Sequence, residues 1–339
     1  MVQLTIISAG QGLTVQDLGR PGWKAQGLST GGAADPLALL EAAALLGSSP
    51  TQAVIEMMGF GGRFKVDEGT RFALTGAAMD ADIDGARVFP NSTSFLPTGA
   101  TLTVGAAKAG VYGYLAFAGG IRTPPVMESR AAHLTAGIGK RLQAGDTLPL
   151  GPDSDRMRAP RKLRVEDRFS GGTVRIMPGP QTDFFDQDAL DVFTSTTFHR
   201  SPRGNRQGIR LEHSGAEFGT KDGLNHVSDL IVPGDIQMTG AGVPYVLLAE
   251  CQTIGGYPRI GSVIPADLPK IAQAAPGTAL QFRFLTLEKA EATAQTQAAK
   301  LRQLAQMCQP MVRDPHDIAD LLRYQLISGA TSGDDLERP

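Results

Sequence analysis

A chain of 339 residues with 42% hydrophobic side chains is long enough for two ordinary domains or one large one, and apolar enough for a substantial core. Its 32 basic and 34 acidic side chains leave a formal charge of −2, and no Lys/Arg run breaks the balance, which excludes the electrostatic footprint of a nucleic-acid-binding protein. Two distant cysteines, Cys251 and Cys308, with no CxxC and no Cys/His pair at ligand spacing, exclude a disulfide framework and a zinc centre; the metal expectation is none.

The opening MVQLTIISAG lacks the charged start and long apolar run of a signal peptide. No apolar run approaches the roughly 18 residues of a membrane helix, and the longest, around Val111–Gly120, is broken by glycine. The expectation is a cytoplasmic protein without a membrane partner.

Val2–Ile7 reads as a strand, followed by a polar, turn-rich loop, QGLTVQDLGRPG, that carries Asp17 and Arg20. A local pair stiffening the loop and an Arg fork aimed at a carboxylate or carbonyl in a cleft are both open here. Asp35-Pro36 then opens the clearest helix, with Asp35 as N-cap, Pro36 at N1, strong helix formers from Leu37 to Leu46, and Gly47 at C′. Leu39, Ala42, Ala43 and Leu46 share a face, so this helix packs on a sheet.

From Ala53 onward the pattern is short strands and turns. A glycine followed by alternating apolar residues recurs at Gly69, Gly99, Gly145, Gly234 and Gly277, each a turn feeding a half-buried strand. Many short strands with regular turns indicate a mainly β protein of closed or nearly closed barrels, with a few packed helices. The pattern lies on both sides of the charged stretch 153–167, which divides a β-barrel-like domain at 1–165 from a second barrel at 170–285. A helix is expected from about Thr182 to Phe193. Asp267 caps a further short helix. An amphipathic helix from Thr286 to about Cys308 and a second helix at His316–Leu326 form an extension over 286–328, and residues 329–339 read as a disordered tail.

Two stretches of the second half gather polar chemistry. Asn205-Arg206-Gln207-Gly208-Ile209-Arg210 places two arginines four apart; in a strand they would share a face and form a site for carboxylate, bicarbonate or phosphate. Downstream, ECQTIGGYPRIGSVIPADLPKIAQ follows the apolar strand Tyr245–Ala249, and a Gly255-Gly256 turn would bring Gln252, Thr253, Tyr257 and Arg259 to one rim of a sheet. Gln237 offers a neutral donor and acceptor. A well-packed hairpin accounts for the same glycines. Walker-type, dinucleotide-binding, HExxH and GxSxG motifs are missing, so residue chemistry alone reaches an Arg/Gln/Gly-lined cleft for a small planar polar ligand and no reaction.

The long stretch resembles the QTTGGYP-x-I-x-x-VI-x-ADL-x-x-x-AQ signature of the allophanate hydrolase subunit 2 family, biotin-dependent carboxyltransferase-like proteins that include the 5-oxoprolinase C subunit and half of the urea carboxylase carboxyltransferase domain. Ile254 stands where that family usually has Thr. TVQDLGRPG with GGAAD, AGGI with PPV, and NRQGIRL resemble further family segments. Glu128 replaces a usual Gly, Ala131-Ala132 replace Ser-Thr beside Ser129 and Arg130, Ala34 replaces Met, and Gln207 replaces Met.

The resemblance implies cyclophilin-like β-barrels and a hetero-oligomeric enzyme acting on a small amide or lactam. Its partners would be a subunit 1 homologue and either a protein like the 5-oxoprolinase A subunit or a biotin carrier. ATP-dependent 5-oxoproline opening comes first, carboxyl transfer from carboxybiotin second, and a non-catalytic regulatory role third. The resemblance places Arg206, Arg210 and Arg20 as anion or oxyanion clamps, with Arg206, Arg210 and Asp17 in catalytic roles. Asp17 serves as a base or orients Arg20. Gln237 and Gln252 orient the amide beside Thr253, and Gly255, Gly256 and Tyr257 supply backbone donors. The chain has no biotinyl-lysine motif and no ATP motif, so no cofactor is bound covalently, and ATP or carboxybiotin would be supplied within the complex.

Overall fold

The structure is a computed structural model that describes residues 2–220 and 227–311. The first half contributes β1 (Val2–Ala9), β2 (Leu13–Gln16), α1 (Pro36–Leu46), β3 (Val54–Met58), β4 (Gly62–Val66), β5 (Thr70–Ile83), β6 (Ala86–Val88), β7 (Ser92–Leu96), β8 (Leu102–Phe117), β9 (Thr147–Leu150) and β10 (Arg161–Lys162). The second contributes β11 (Gly172–Met177), α2 (Gln187–Ser195), β12 (Phe198–Gly204), β13 (Gly208–Glu212), β14 (Asp229–Leu230), β15 (Asp235–Met238), β16 (Pro244–Leu247), β17 (Ile254–Gly255), β18 (Arg259–Val263), α3 (Leu268–Gln273) and β19 (Ala279–Phe284). The chain then runs through α4 (Leu287–Met307) to β20 (Gln309–Pro310).

The second half closes into a seven-stranded barrel, β11-β18-β15-β16-β13-β12-β19, whose seam is the parallel pair β11–β19. The ten strands of the first half, joined by β20 from beyond α4, form an eleven-stranded sheet built around the long β5–β8 ladder. It closes less completely than the barrel expected for it, with single bridges from Ile121 to Ala53 and Leu150 tying the β9 edge back to β3. Four of the five glycines expected to feed strands, Gly99, Gly145, Gly234 and Gly277, have φ between 76° and 98°, a left-handed conformation that a Cβ disfavours. Strands β8, β9, β15 and β19 begin shortly after them.

α1 forms as its sequence dictates: Asp35 accepts from Ala38 N (3.3 Å), Pro36 leads, and Gly47 ends it at φ 68°. α4 forms over the expected span, but its apolar stripe is only partly covered: Leu301 and Leu304 are half-buried, while Leu287 is 63% exposed. Three local readings differ. The helix expected from Thr182 splits into a 3₁₀ turn and α2, because the Asp186 carboxylate accepts from Ala189 N (2.7 Å) and starts a new helix there. Asp267 caps nothing; its carboxylate is taken by Arg175, through N (2.7 Å), Nε (2.9 Å) and Nη2 (2.6 Å). The 153–167 stretch is anchored as well as charged: Asp153 pairs with buried Arg71 (2.6 Å), and β10 inside it joins β7 and β20. The helix expected at His316–Leu326 and the tail at 329–339 lie outside the described residues.

One apolar cluster lies wholly within the first half, around β1, β4, β5 and β8. The other runs from α1 and β8 into the barrel interior, so the two halves share a core. Gln273, fully buried at the end of α3, fastens that joint: its Oε1 accepts from Val111 N (2.9 Å) and Tyr112 N (3.0 Å), and its Nε2 donates to Tyr112 O (2.8 Å) and Asp35 Oδ2 (2.9 Å). Arg168 adds a fork onto Glu41 (2.9 and 2.7 Å) and a bond to Asp35 (2.7 Å). Among the described residues no helix is long and apolar enough to cross a membrane.

Candidate functional site: a carboxamide-lined cleft on the barrel

Side chains alternate across each barrel strand. Ile209, Leu211, Ile236, Met238 and Val246 point into the core. That parity turns Gly208, Gln237, Tyr245 and Leu247 outward, and the register Gly208↔Leu247, Gln237↔Tyr245 sets them side by side on the outer face. They floor a cleft of about 540 Å³. One wall is the β12–β13 turn, with Arg203, Asn205 and Gln207; the other holds Ile231, Cys251, Gln252 and Tyr257. Four carboxamide side chains thus line one cleft.

Two of the four are committed: Asn205 Oδ1 accepts from Gln207 N (2.8 Å), and Gln207 Nε2 donates to Thr135 Oγ1 (3.1 Å). Gln237 is not: among the described residues its Nε2 is buried without a partner, a deficit worth roughly 1–3 kcal/mol to whatever fills it. Gln252 is exposed and Tyr257 is 42% exposed at the rim. The cleft's thiol is inert, since burial, helped by Asp235, pushes Cys251 up to about 12.

The Gly255-Gly256 pair is extended rather than a turn. Gly255 sits in β17, paired with Asp229 of β14, and neither glycine has positive φ. Glycine is needed at 255 for closeness: a Cβ there would lie 2.5 Å from Gln237 Nε2. Arg259, read from sequence as a rim residue, is buried beneath this wall. It donates to Gln181 Oε1 (3.1 Å), Leu230 O (2.6 Å) and Asp235 (3.3 Å), and pairs with Asp229, fixing β14 against β17. Thr253 is buried outside the lining, its carbonyl accepting from Ile231 N (3.0 Å).

The arginines and the aspartate expected in the site lie elsewhere. Arg206 occupies the β12–β13 turn, not the strand, so strand parity does not set it beside Arg210. Its guanidinium is enclosed: Nε donates to Glu250 (2.6 Å), Nη1 to Glu56, and Nη2 to the Gly32 carbonyl. Burial opposes its charge, but the two carboxylates outweigh burial and raise its pKa above the ordinary arginine value. Glu56 also accepts from Ala34 N (2.9 Å) and Tyr114 OH (2.8 Å). A guanidinium held between two carboxylates is a strut between the halves, poorly suited to clamp a further anion. Arg210 is half-buried on β13 and does not line this cleft, and its Nε lacks a partner among the described residues.

Asp17 accepts from Gly19 N (2.8 Å), Ser129 Oγ (2.6 Å) and Arg130 N (2.6 Å), and Arg20 donates to the Ala131 and Val126 carbonyls. Together they hold the 126–132 loop. Glu128 in that loop has φ 67°, a conformation suited to the glycine it replaces, and does not line the cleft. Next to this loop His133 bonds Ser29 Oγ (2.8 Å); burial lowers its pKa despite Glu250.

Glu56, Glu250, His133 and Arg168 were missed from sequence. Glu56 carried a signal, an acid inside the apolar strand VIEMM that the interior must pair.

Residues 26–284 match the carboxyltransferase domain, subdomain A and B. The chain is 37% identical to the 5-oxoprolinase C subunit of Escherichia coli, over 89% of this chain and 97% of that protein. It is 32% identical to the 5-oxoprolinase C subunit of Haemophilus influenzae, over 85% and 93% respectively. The fold superposes on the Kluyveromyces lactis urea carboxylase with TM-score 0.79 at 22% identity, covering 92% of this chain and 31% of that one. The chain belongs to the family of the carboxyltransferase domain, subdomain A and B.

Proposed function

We propose that this chain is the C subunit of a hetero-oligomeric 5-oxoprolinase, an enzyme that opens a lactam at the expense of ATP, and that its barrel cleft holds the planar amide. The observation that carries the reading is 37% identity across 97% of a protein named for that role. The cleft supports it: Gln237, Gln252 and Tyr257 are neutral groups that donate and accept, the complement of a lactam N–H and C=O. Gln237 Nε2, a donor with no partner among the described residues, would hold the amide oxygen as negative charge develops there.

A triphosphate does not fit this lining, whose single cation among the described residues is Arg203. ATP is therefore not assigned to this cleft, and with Cys251 held protonated neither is a nucleophile. The chain's part is to bind, orient and polarise the amide.

Carboxyl transfer from carboxybiotin is the second reading. The family assignment favours it, and the ureido ring of biotin presents the same amide edge to the same side chains.

The test is reconstitution with the subunit 1 homologue and a protein like the 5-oxoprolinase A subunit, followed through ATP-dependent conversion of 5-oxoproline to glutamate. Gln237→Leu is expected to lower kcat/KM about tenfold to a hundredfold with the complex intact. An inactive but well-formed wild-type complex would sink the oxoprolinase reading and move the assay to amide carboxylation with a biotinylated carrier. Wild-type rates in both Gln237→Leu and Gln252→Ala would leave a binding-only role.

A further inference from the structure

On the far side of the β12–β13 turn, between the two halves, lies a second and larger cleft of about 1170 Å³. Its walls are largely apolar, with Met58 and Phe60 from the first half and Pro202 from the barrel; Phe60 is 64% exposed. Arg200 faces it from β12 and is only 4% exposed. Its backbone is pinned on both sides, N donating to Thr278 O (3.0 Å) and O accepting from Gly277 N (2.7 Å), yet its Nε is buried without a partner among the described residues. No ion pair reaches its guanidinium among the described residues. Gly204 leaves the room it occupies: a Cβ there would stand 3.1 Å from Arg200 Nη2.

An unpaired, buried guanidinium is costly and needs an anion. The nearby charges do not supply one. Glu250 also lines the cleft, but its carboxylate is taken by Arg206 (2.6 Å) and faces Thr135 (3.3 Å). Arg206 also lines the cleft but is held by Glu56 and Glu250, and Arg141 adds an exposed cation with no ion pair among the described residues. One buried unit of positive charge with a planar donor fork, set among apolar walls, matches a monoanion that is itself planar and carries an apolar body.

We propose that this inter-half cleft is a binding site for small organic carboxylates, with Arg200 as the buried anchor and Arg141 as the attracting rim charge. The proposal does not rest on the function argued for the barrel cleft, and its test uses the full chain alone.

Calorimetric titration with cyclopentanecarboxylate and with its neutral isostere cyclopentanecarboxamide reads the site directly. The acid is expected to bind at least tenfold more tightly than the amide. Arg200→Gln should weaken the acid at least tenfold and leave the amide unchanged. Arg141→Gln should weaken the acid about threefold and flatten its salt dependence. Without ligand, Arg200→Gln should melt at or above the wild-type temperature, since it removes an uncompensated buried charge. Equal affinity for acid and amide, wild-type acid binding in Arg200→Gln, or a lowered melting temperature of the free variant would each overturn the proposal. Inorganic phosphate displacing the acid at equal concentration would overturn the assignment to carboxylates.

Discussion

Arg200 and Arg206 stand on the same hairpin in opposite situations. Arg206 has two carboxylates and a carbonyl around it, drawn from both halves of the molecule; Arg200 has its backbone fastened and a guanidinium nitrogen buried with nothing to bond. The same contrast separates Gln273, whose amide makes four bonds across the joint, from Gln237, whose amide nitrogen makes none. A buried polar group with every bond met is structure, and one with a bond left over beside a cleft, as in Gln237 and Arg200, is an invitation to a ligand. Side-chain type does not tell the two apart, and satisfaction does.

The comparison breaks first at Arg206. Arg206→Met leaves Glu56 and Glu250 buried without their cation and should cost about 3–5 kcal/mol of unfolding free energy in a denaturant titration. Adding Glu250→Gln should return part of that loss. A cost below about 1 kcal/mol would show that Arg206 is not the strut described here.

A smaller effect is expected with pH. His133 has a folded pKa below its unfolded value of about 6.5, so below that pH the unfolded chain binds the proton and the folded one resists it. Stability is therefore full above about pH 6.5 and falls as the pH drops below it, with a slope of at most about 1.4 kcal/mol per pH unit for this group. Melting temperatures across pH 5–7 should fall toward acid in the wild type and flatten in His133→Asn.

Smaller again is Glu128→Gly. Left-handed backbone costs a side chain roughly 1–2 kcal/mol, and the glycine gives back roughly 0.5–1 kcal/mol of that in unfolded-chain entropy. A net gain of about 0.5–1 kcal/mol is expected, with binding in both clefts unchanged. The smallest expected loss belongs to Gln237→Leu, which removes no bond and takes away an unmet buried donor, so stability should stay at or above wild type while turnover is impaired. A large loss there would move Gln237 to the structural side of the contrast.

What the sequence made legible follows the same division. Local chemistry was readable: Asp35, Pro36 and Gly47 bound α1 where their cap preferences put it, and the strand-feeding glycines mark the turns of the sheets. The barrel-face cleft was half readable, because Gln237, Gln252 and Tyr257 meet there as anticipated while Gly255 serves by close approach rather than by turning. The joint was not readable. Arg206 meets Glu56 and Glu250 across long stretches of chain, and nothing near NRQGIRL reveals that its first arginine has been claimed from the other half. The Asp17–Arg20 pair likewise holds a loop more than a hundred positions away, which no local spacing encodes. Arg200 gave no sign at all, since its distinction is a partner it lacks.

The β12–β13 turn is a party wall. Gly204, Asn205 and Gln207 line the barrel cleft on one side and the inter-half cleft on the other. A guest that shifts this turn from one room alters the shape of the next, and thermodynamic reciprocity requires that the influence be equal in both directions. Because Arg206 in the same turn is bolted to the first half, such a message would also reach the joint between the halves, making the hairpin the natural place for occupancy of one chamber to be heard in the other.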